Sequence, residues 1–279
     1  MINRILHLPA VLAGRVRLRA VLLVLALAST ALAASGVAAA QGKIPRLANG
    51  KPDFSGIWQT TTLADFDLEP HSPREDAPPG PGIVEGNLIP YLPAALEQKK
   101  KNFAARATND PRAKCFSLGV PRQIYYPEPF QILQRERDVT LVPQFGNSVR
   151  TIHTNGSLHP EEDNDFWLGD SRGRWEGNTL VVETTNFHPE SNYEGSGPNR
   201  TVIERFALTD ANTLSYEFTV DDATTWTRPW TGQVPWQRDE GPIFEYACHE
   251  GNYGMVHLLK GARVLEAEAE AEEAKKPGR

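Results

Sequence analysis

The 279-residue chain has only two cysteines, Cys115 and Cys248, and only two methionines. No short-spaced ligand pair such as C-x-x-C or H-E-x-x-H occurs, which removes the usual zinc arrangements. A phosphate loop is missing, and no glycine-rich dinucleotide fingerprint follows a strand, so a nucleotide cofactor is not expected. Basic excess is absent as well. Lys and Arg number 29 against 35 Asp and Glu, a net charge of −6. An acidic chain without a basic stripe excludes nucleic acid as a partner. After the first forty residues no run is apolar enough to span a bilayer.

What is present begins with those forty residues. Arg4, Arg15, Arg17 and Arg19 form a basic front, an apolar run follows from Ala20, and Ala38 and Ala40 stand at small-residue cleavage positions. That order reads as a secretory signal peptide over residues 1–40. Removing four arginines and no acid takes the net charge from −6 to −10. Residues 41–52 read as a linker, 53–264 as a single β-rich domain, and 265–279 as a low-complexity Glu/Ala tail, a frayed helix or disordered. Expected localisation is periplasmic or secreted, with no membrane insertion after cleavage.

Within the domain, "PHSPREDAPPGPG" is a loop too rich in proline to carry a ladder. One helix is expected over "PYLPAALEQKKKNFAARAT", with Pro93 in its first turn and a narrow apolar face of Leu92, Leu96, Phe103 and Ala104. From there the pattern changes to period two. "RWEGNTLVVETTNF" is a hairpin turning at Glu176-Gly177-Asn178. In "TVIERFALTDANTLSYEFTVDD", Val202, Glu204, Phe206 and Leu208 share one face, and Leu214, Tyr216, Phe218 and Val220 share one face of the return strand. "TTWTRPWTG", "IFEYACHE" and "GMVHLLKG" complete about eight antiparallel strands. The fold expected is mainly β: an antiparallel lipocalin-like barrel, or alternatively a β-sandwich, with one helix before the main strands.

Four ordered motifs, "AKCFSLGVPR", "GDSRGRWEGNTLVVETTNF", "VIERF" with "DANTLSYEFTVDDATTWTRPWT", and "EYACHEGNY", resemble a large family of secreted bacterial proteins of unknown function. The resemblance runs from about Pro52 to Arg263. It implies a secreted, single β-rich domain from a bacterium and supplies no mechanism. Where that family usually carries Asp in the hairpin turn, this chain has Asn178, which suits the turn equally well.

The chemistry-bearing residues are few. Two cysteines in an exported chain usually pair, so Cys115 and Cys248 are read as a disulfide rather than as a nucleophile. His249 and Glu250 follow at once, in "EGNYG", which has the look of a turn. A turn would let them converge as a proton carrier and its orienter. Glu176 and Glu204 are the next acid–base candidates. Arg174, Trp175, Arg205 and Trp230 are candidates to bind a substrate through charge and stacking. His153, His159, His188 and His257 are scattered, and no metal site is read from them. Two functions follow from this pattern. One is a cofactor-independent acid–base enzyme, a lyase, isomerase or hydrolase, acting on a lipophilic or aromatic small molecule. Its alternative is a non-catalytic ligand-binding protein of the cell envelope. Parity decides between them: convergence of Glu204, Glu217, His153 and His249 in one cavity would favour the enzyme.

Overall fold

The computed structural model describes residues 44–75, 77–161, 164–248, 250 and 253–275. The proposed signal peptide and His249 lie outside the described residues. Nine strands close into a barrel: β1 (Gly56–Thr60), β2 (Phe130–Gln134), β3 (Asp138–Pro143), β4 (Arg150–His153), β5 (Asp170–Glu176), β6 (Thr179–Thr185), β7 (Thr201–Leu208), β8 (Thr213–Asp221) and β9 (Trp230–Asp239). Each pairs with its sequence neighbours, and β1 pairs with β9. That closure gives the lipocalin-like barrel and removes the sandwich alternative. Helices α1 (Pro93–Ala104), α2 (Arg106–Asn109) and α3 (Arg122–Tyr125) lie between β1 and β2, and α4 (Gly254–Glu273) follows β9.

The period-two pattern sets the register. Leu208, Phe206, Glu204 and Val202 stand opposite Leu214, Tyr216, Phe218 and Val220. All eight are buried. Gly177 takes φ 61° in the two-residue loop that closes Glu176 against Thr179, a backbone state that glycine adopts at no steric cost.

The inside is a packed core rather than a chamber. Trp236 stacks on Tyr216 at 4.9 Å, Phe130 meets Trp236 edge-on at 4.4 Å, and Trp230 stacks on Tyr193 at 6.1 Å. Burying each of these rings contributes about 1.5–3 kcal/mol. The cavity expected inside the barrel is therefore filled by aromatic side chains.

Three sequence expectations are corrected here. First, "IFEYACHE" forms no strand, and "GMVHLLKG" is the first part of α4. Gly241-Pro242 ends β9, and the apolar residues beyond it recur every three to four positions, on into a run of helix-forming Glu and Ala. Second, the barrel is not wholly antiparallel. β4 and β5 run parallel, because the connection from Thr154 to Gly169 is long enough to return the chain to the same end. Third, the apolar face expected on α1 is not buried: Leu92 is half-buried, and Phe103 lies under the Arg106 guanidinium at 4.0 Å. Leu96 and Phe103 are exposed and no residue of the helix is buried.

Candidate functional site

The parallel pair is the narrow seam of the barrel. Only Ile152–Ser171 and His153–Arg172 are in register across it. Gly173 permits the close approach, since a Cβ there would sit 2.8 Å from Ile152 Cγ2. The chain enters β4 through Ser148-Val149 and β5 through Phe166–Gly169. Together with Cys115–Ser117 these segments line a pocket of about 570 Å³. That volume falls in the range of small-molecule sites.

Its walls are largely apolar. Phe116 meets Trp167 edge-on at 5.3 Å, and Trp167 stacks on His188 at 5.6 Å. Phe116, Val149 and Phe166 are 42, 61 and 45 % exposed, so the mouth presents apolar surface to solvent. Three hydroxyl residues, Ser117, Ser148 and Thr151, supply polarity, and Ser117 Oγ lies 3.3 Å from Ser148 Oγ and 3.0 Å from Gln123 Oε1. Trp167 Nε1 donates to the Ser117 carbonyl at 2.7 Å and ties two walls together. Cys115 ends a short 3-10 turn, Pro111–Lys114, at φ 59°, and its disulfide to Cys248 pins that wall.

Arg150 is the single charged residue of the lining, and it is neutralised. It is buried, like Glu204. Its Nη1 donates to Glu204 Oε1 at 2.8 Å, its Nη2 reaches Glu204 Oε2 and Thr184 Oγ1, and its Nε donates to Ser171 Oγ at 3.0 Å. Tyr216 adds a hydroxyl donor to Glu204 Oε1 at 2.9 Å. Burial lowers the guanidinium pKa, and Glu204 more than offsets this, leaving it above its ordinary value. Burial first, then the Glu204 charge, raises the Tyr216 phenol well above its usual range. Both raised values keep the guanidinium charged and the phenol neutral through neutral pH, and the cluster is an ion pair with its hydrogen bonds satisfied.

Ser171 belongs to Gly169-Asp170-Ser171-Arg172-Gly173, so the G-x-S-x-G spacing, expected to be absent, does occur. The structural context of a nucleophile elbow is absent. Ser171 is buried within β5, and a strand rather than a helix continues from it.

The sequence-predicted site residues that the structure describes do not assemble at one mouth. Glu204 faces inward, Glu217 lies on the opposite parity of β8, and His153 on the opposite parity of β4 from Arg150. Burial and the Arg150 ion pair remove Glu204 from any contact with substrate. Trp230 is in the core against Trp226, Phe218 and Tyr193, so it has no face to offer a substrate. Glu176, Arg174 and Arg205 do meet, on the outer surface at the β5–β6 turn: Arg174 Nε donates at 3.0 Å and Arg205 Nη2 at 3.1 Å. These bonds hold the Glu176 carboxyl below its ordinary pKa. Trp175 is half-buried against Phe54 at 5.3 Å, with Lys51 over its ring. Glu250 is exposed. Cys115 and Cys248 are joined.

Arg150, Trp167 and Phe116 were missed. Arg150 did leave a signal, two residues before Ile152 on an alternating strand. The rings sit in irregular segments that periodicity does not describe. Sequence also missed a pairing on the outer face, where His159 Nδ1 lies 2.6 Å from Asp170 Oδ2. Arg172 holds Asp170 through Nε at 2.6 Å and Nη2 at 2.7 Å, and Glu183 is 3.4 Å from His159 Nε2. Among the described residues, no group of three or more His, Cys, Asp or Glu is placed to hold a metal ion. Comparison with protein-family models and with curated proteins finds no match, so the family resemblance rests on the motifs quoted for it.

Proposed function

We propose that the protein is an extracytoplasmic binding protein for an uncharged, apolar or aromatic small molecule, which it holds in the seam pocket. One observation carries this reading. The pocket combines aromatic walls and three hydroxyls with a single, already neutralised charge, and its lining has no carboxylate or imidazole for moving a proton within it. Such a lining suits a flat apolar ligand with a hydroxyl or carbonyl group. Placement outside the cytoplasm is supported by the disulfide and by the signal-like first forty residues. The test uses N-phenyl-1-naphthylamine, an uncharged aromatic dye that fluoresces in apolar surroundings. It should bind, and Val149→Glu at the exposed mouth should weaken binding by about tenfold or more, with the near-ultraviolet spectrum of the core unchanged. Equal affinity in that variant would place the ligand elsewhere.

A second reading is the acid–base enzyme, and the His159–Asp170 pair favours it, since a carboxylate orients the imidazole as a general base requires. His159→Gln separates the two: dye binding survives in both readings, and loss of turnover on the extracted ligand occurs only in the second.

A further inference from the structure

We propose that α4 is a self-association element, through which two copies of the chain pair as antiparallel helices. The helix spans 20 residues, and every described side chain from Tyr253 to Lys275 is exposed. Its large apolar residues are included: Leu258 is 70 % and Leu265 67 % exposed. Most helical stability in proteins comes from packing of an apolar face, and the apolar residues of this helix have no such packing within the described chain.

The spacing of that face identifies the cover as another helix. Leu258, Ala262, Leu265 and Ala269 recur at intervals of four, three and four, the seam of a two-stranded coiled coil. Alanine at two of the four positions allows close approach.

Charge then selects the partner and its direction. Lys260 and Arg263 stand in the first half of α4, and Glu266, Glu268, Glu270, Glu272 and Glu273 fill the second. The last turn has no basic residue and the first no acidic one. This arrangement opposes the helix macrodipole, whose C-terminal end is already negative. A second α4 laid antiparallel brings its positive N-terminal end, Lys260 and Arg263 beside those five carboxylates. A parallel copy would stack carboxylates on carboxylates. The antiparallel contact is isologous and closes at two chains. A membrane surface is the poorer cover, because interfacial helices carry Lys and Arg on their polar face, and this one is net acidic.

The full chain is examined by sedimentation velocity and light scattering over a wide concentration range at low salt. A mass of two chains is expected, weakened by added salt. Leu258→Glu with Leu265→Glu should weaken association by about 100-fold or more. These positions are exposed in the monomer, so near-ultraviolet circular dichroism of the barrel should stay constant. Two further variants test the charges. Lys260→Glu/Arg263→Glu and Glu266→Lys/Glu270→Lys/Glu273→Lys should each be monomeric alone and should form a mixed dimer when combined. The proposal is overturned by a full chain that is monomeric at every concentration, by a dimer that survives the double leucine substitution, or by a monomer that binds phosphatidylglycerol vesicles through α4.

Discussion

Two buried arginines stand in different surroundings, and the contrast shows how this fold handles charge. Arg150, inside the barrel, faces a carboxylate. Glu204 grips it through two atoms, and Ser171 and Thr184 take its remaining donors. Arg200, at the start of β7, has no carboxylate bonded to it. Its Nη1 donates to the Gly197 carbonyl at 3.1 Å and its Nη2 to Ser191 Oγ at 3.3 Å, while the guanidinium lies 3.7 Å from the Phe187 ring. Its Nε has no partner among the described residues. Burial pulls its pKa down to about 9. Arg150 is one half of an ion pair, and each half needs the other to be buried at all. Arg200 is a cation held by dipoles and an aromatic face, with the charge of Asp222 acting on it without a direct bond.

The sharpest way to break the comparison is to remove each cation. Arg150→Met leaves Glu204 buried without its counter-charge, and this should cost about 3–5 kcal/mol in urea unfolding at pH 7. The sign of the pH dependence follows. Without Arg150, burial disfavours the unpaired charge over the neutral acid, so the penalty should shrink as the solution is made more acidic. Adding Glu204→Leu should recover most of the loss, since an apolar pair of similar volume replaces a buried ion pair at little cost. If Arg150→Met unfolds at the wild-type midpoint, the ion pair is dispensable and the contrast collapses.

Arg200→Met is the milder counterpart. Methionine keeps the contact with Phe187 and strands one carbonyl and one hydroxyl, both of which retain other capacity. A loss of no more than about 1 kcal/mol is expected. A loss as large as that of Arg150→Met would mean that Asp222 or another acid acts as its counter-ion in solution.

The same contrast explains what the sequence revealed. β7 and β8 were legible because alternation records burial directly, so Glu204 could be placed on the same face as Phe206 and Val202. Its partner was harder to find. Arg150 lies 54 residues earlier on a four-residue strand, and no local pattern links the two. The disulfide was legible for a different reason: two cysteines leave one pairing. The pocket was not legible, because Phe116, Phe166 and Trp167 occupy irregular segments that meet only through tertiary structure. α4 was misread in its first half, where "GMVHLL" fits a strand as readily as a helix when taken alone. Only the longer run through Ala269 separates the two periods.

The finest test sets an exposed ion-pair cluster against the buried one. Glu176, on the outer turn, accepts from two arginines, and Glu204 is bonded by one. A count of ion pairs would rank Glu176 as the greater stabiliser. Solvent reverses that order, because water already satisfies each of the three charges and salt screens them. Arg174 and Arg205 hold the Glu176 carboxyl below its ordinary value of 4.5. A depressed folded pKa gives a contribution that is present above the unfolded pKa and lost as pH falls through the folded one. Glu176→Gln should therefore leave the urea midpoint unchanged at pH 7 within error, and any small difference from wild type should vanish in about 0.5 M salt and as pH falls through the lowered carboxyl pKa. The variant should also bind the naphthylamine dye as wild type does, since Glu176 is not among the residues that line the seam pocket. A midpoint shift at pH 7 that persists in high salt would show the turn cluster to be desolvated, and burial would no longer be what separates it from Arg150 and Glu204.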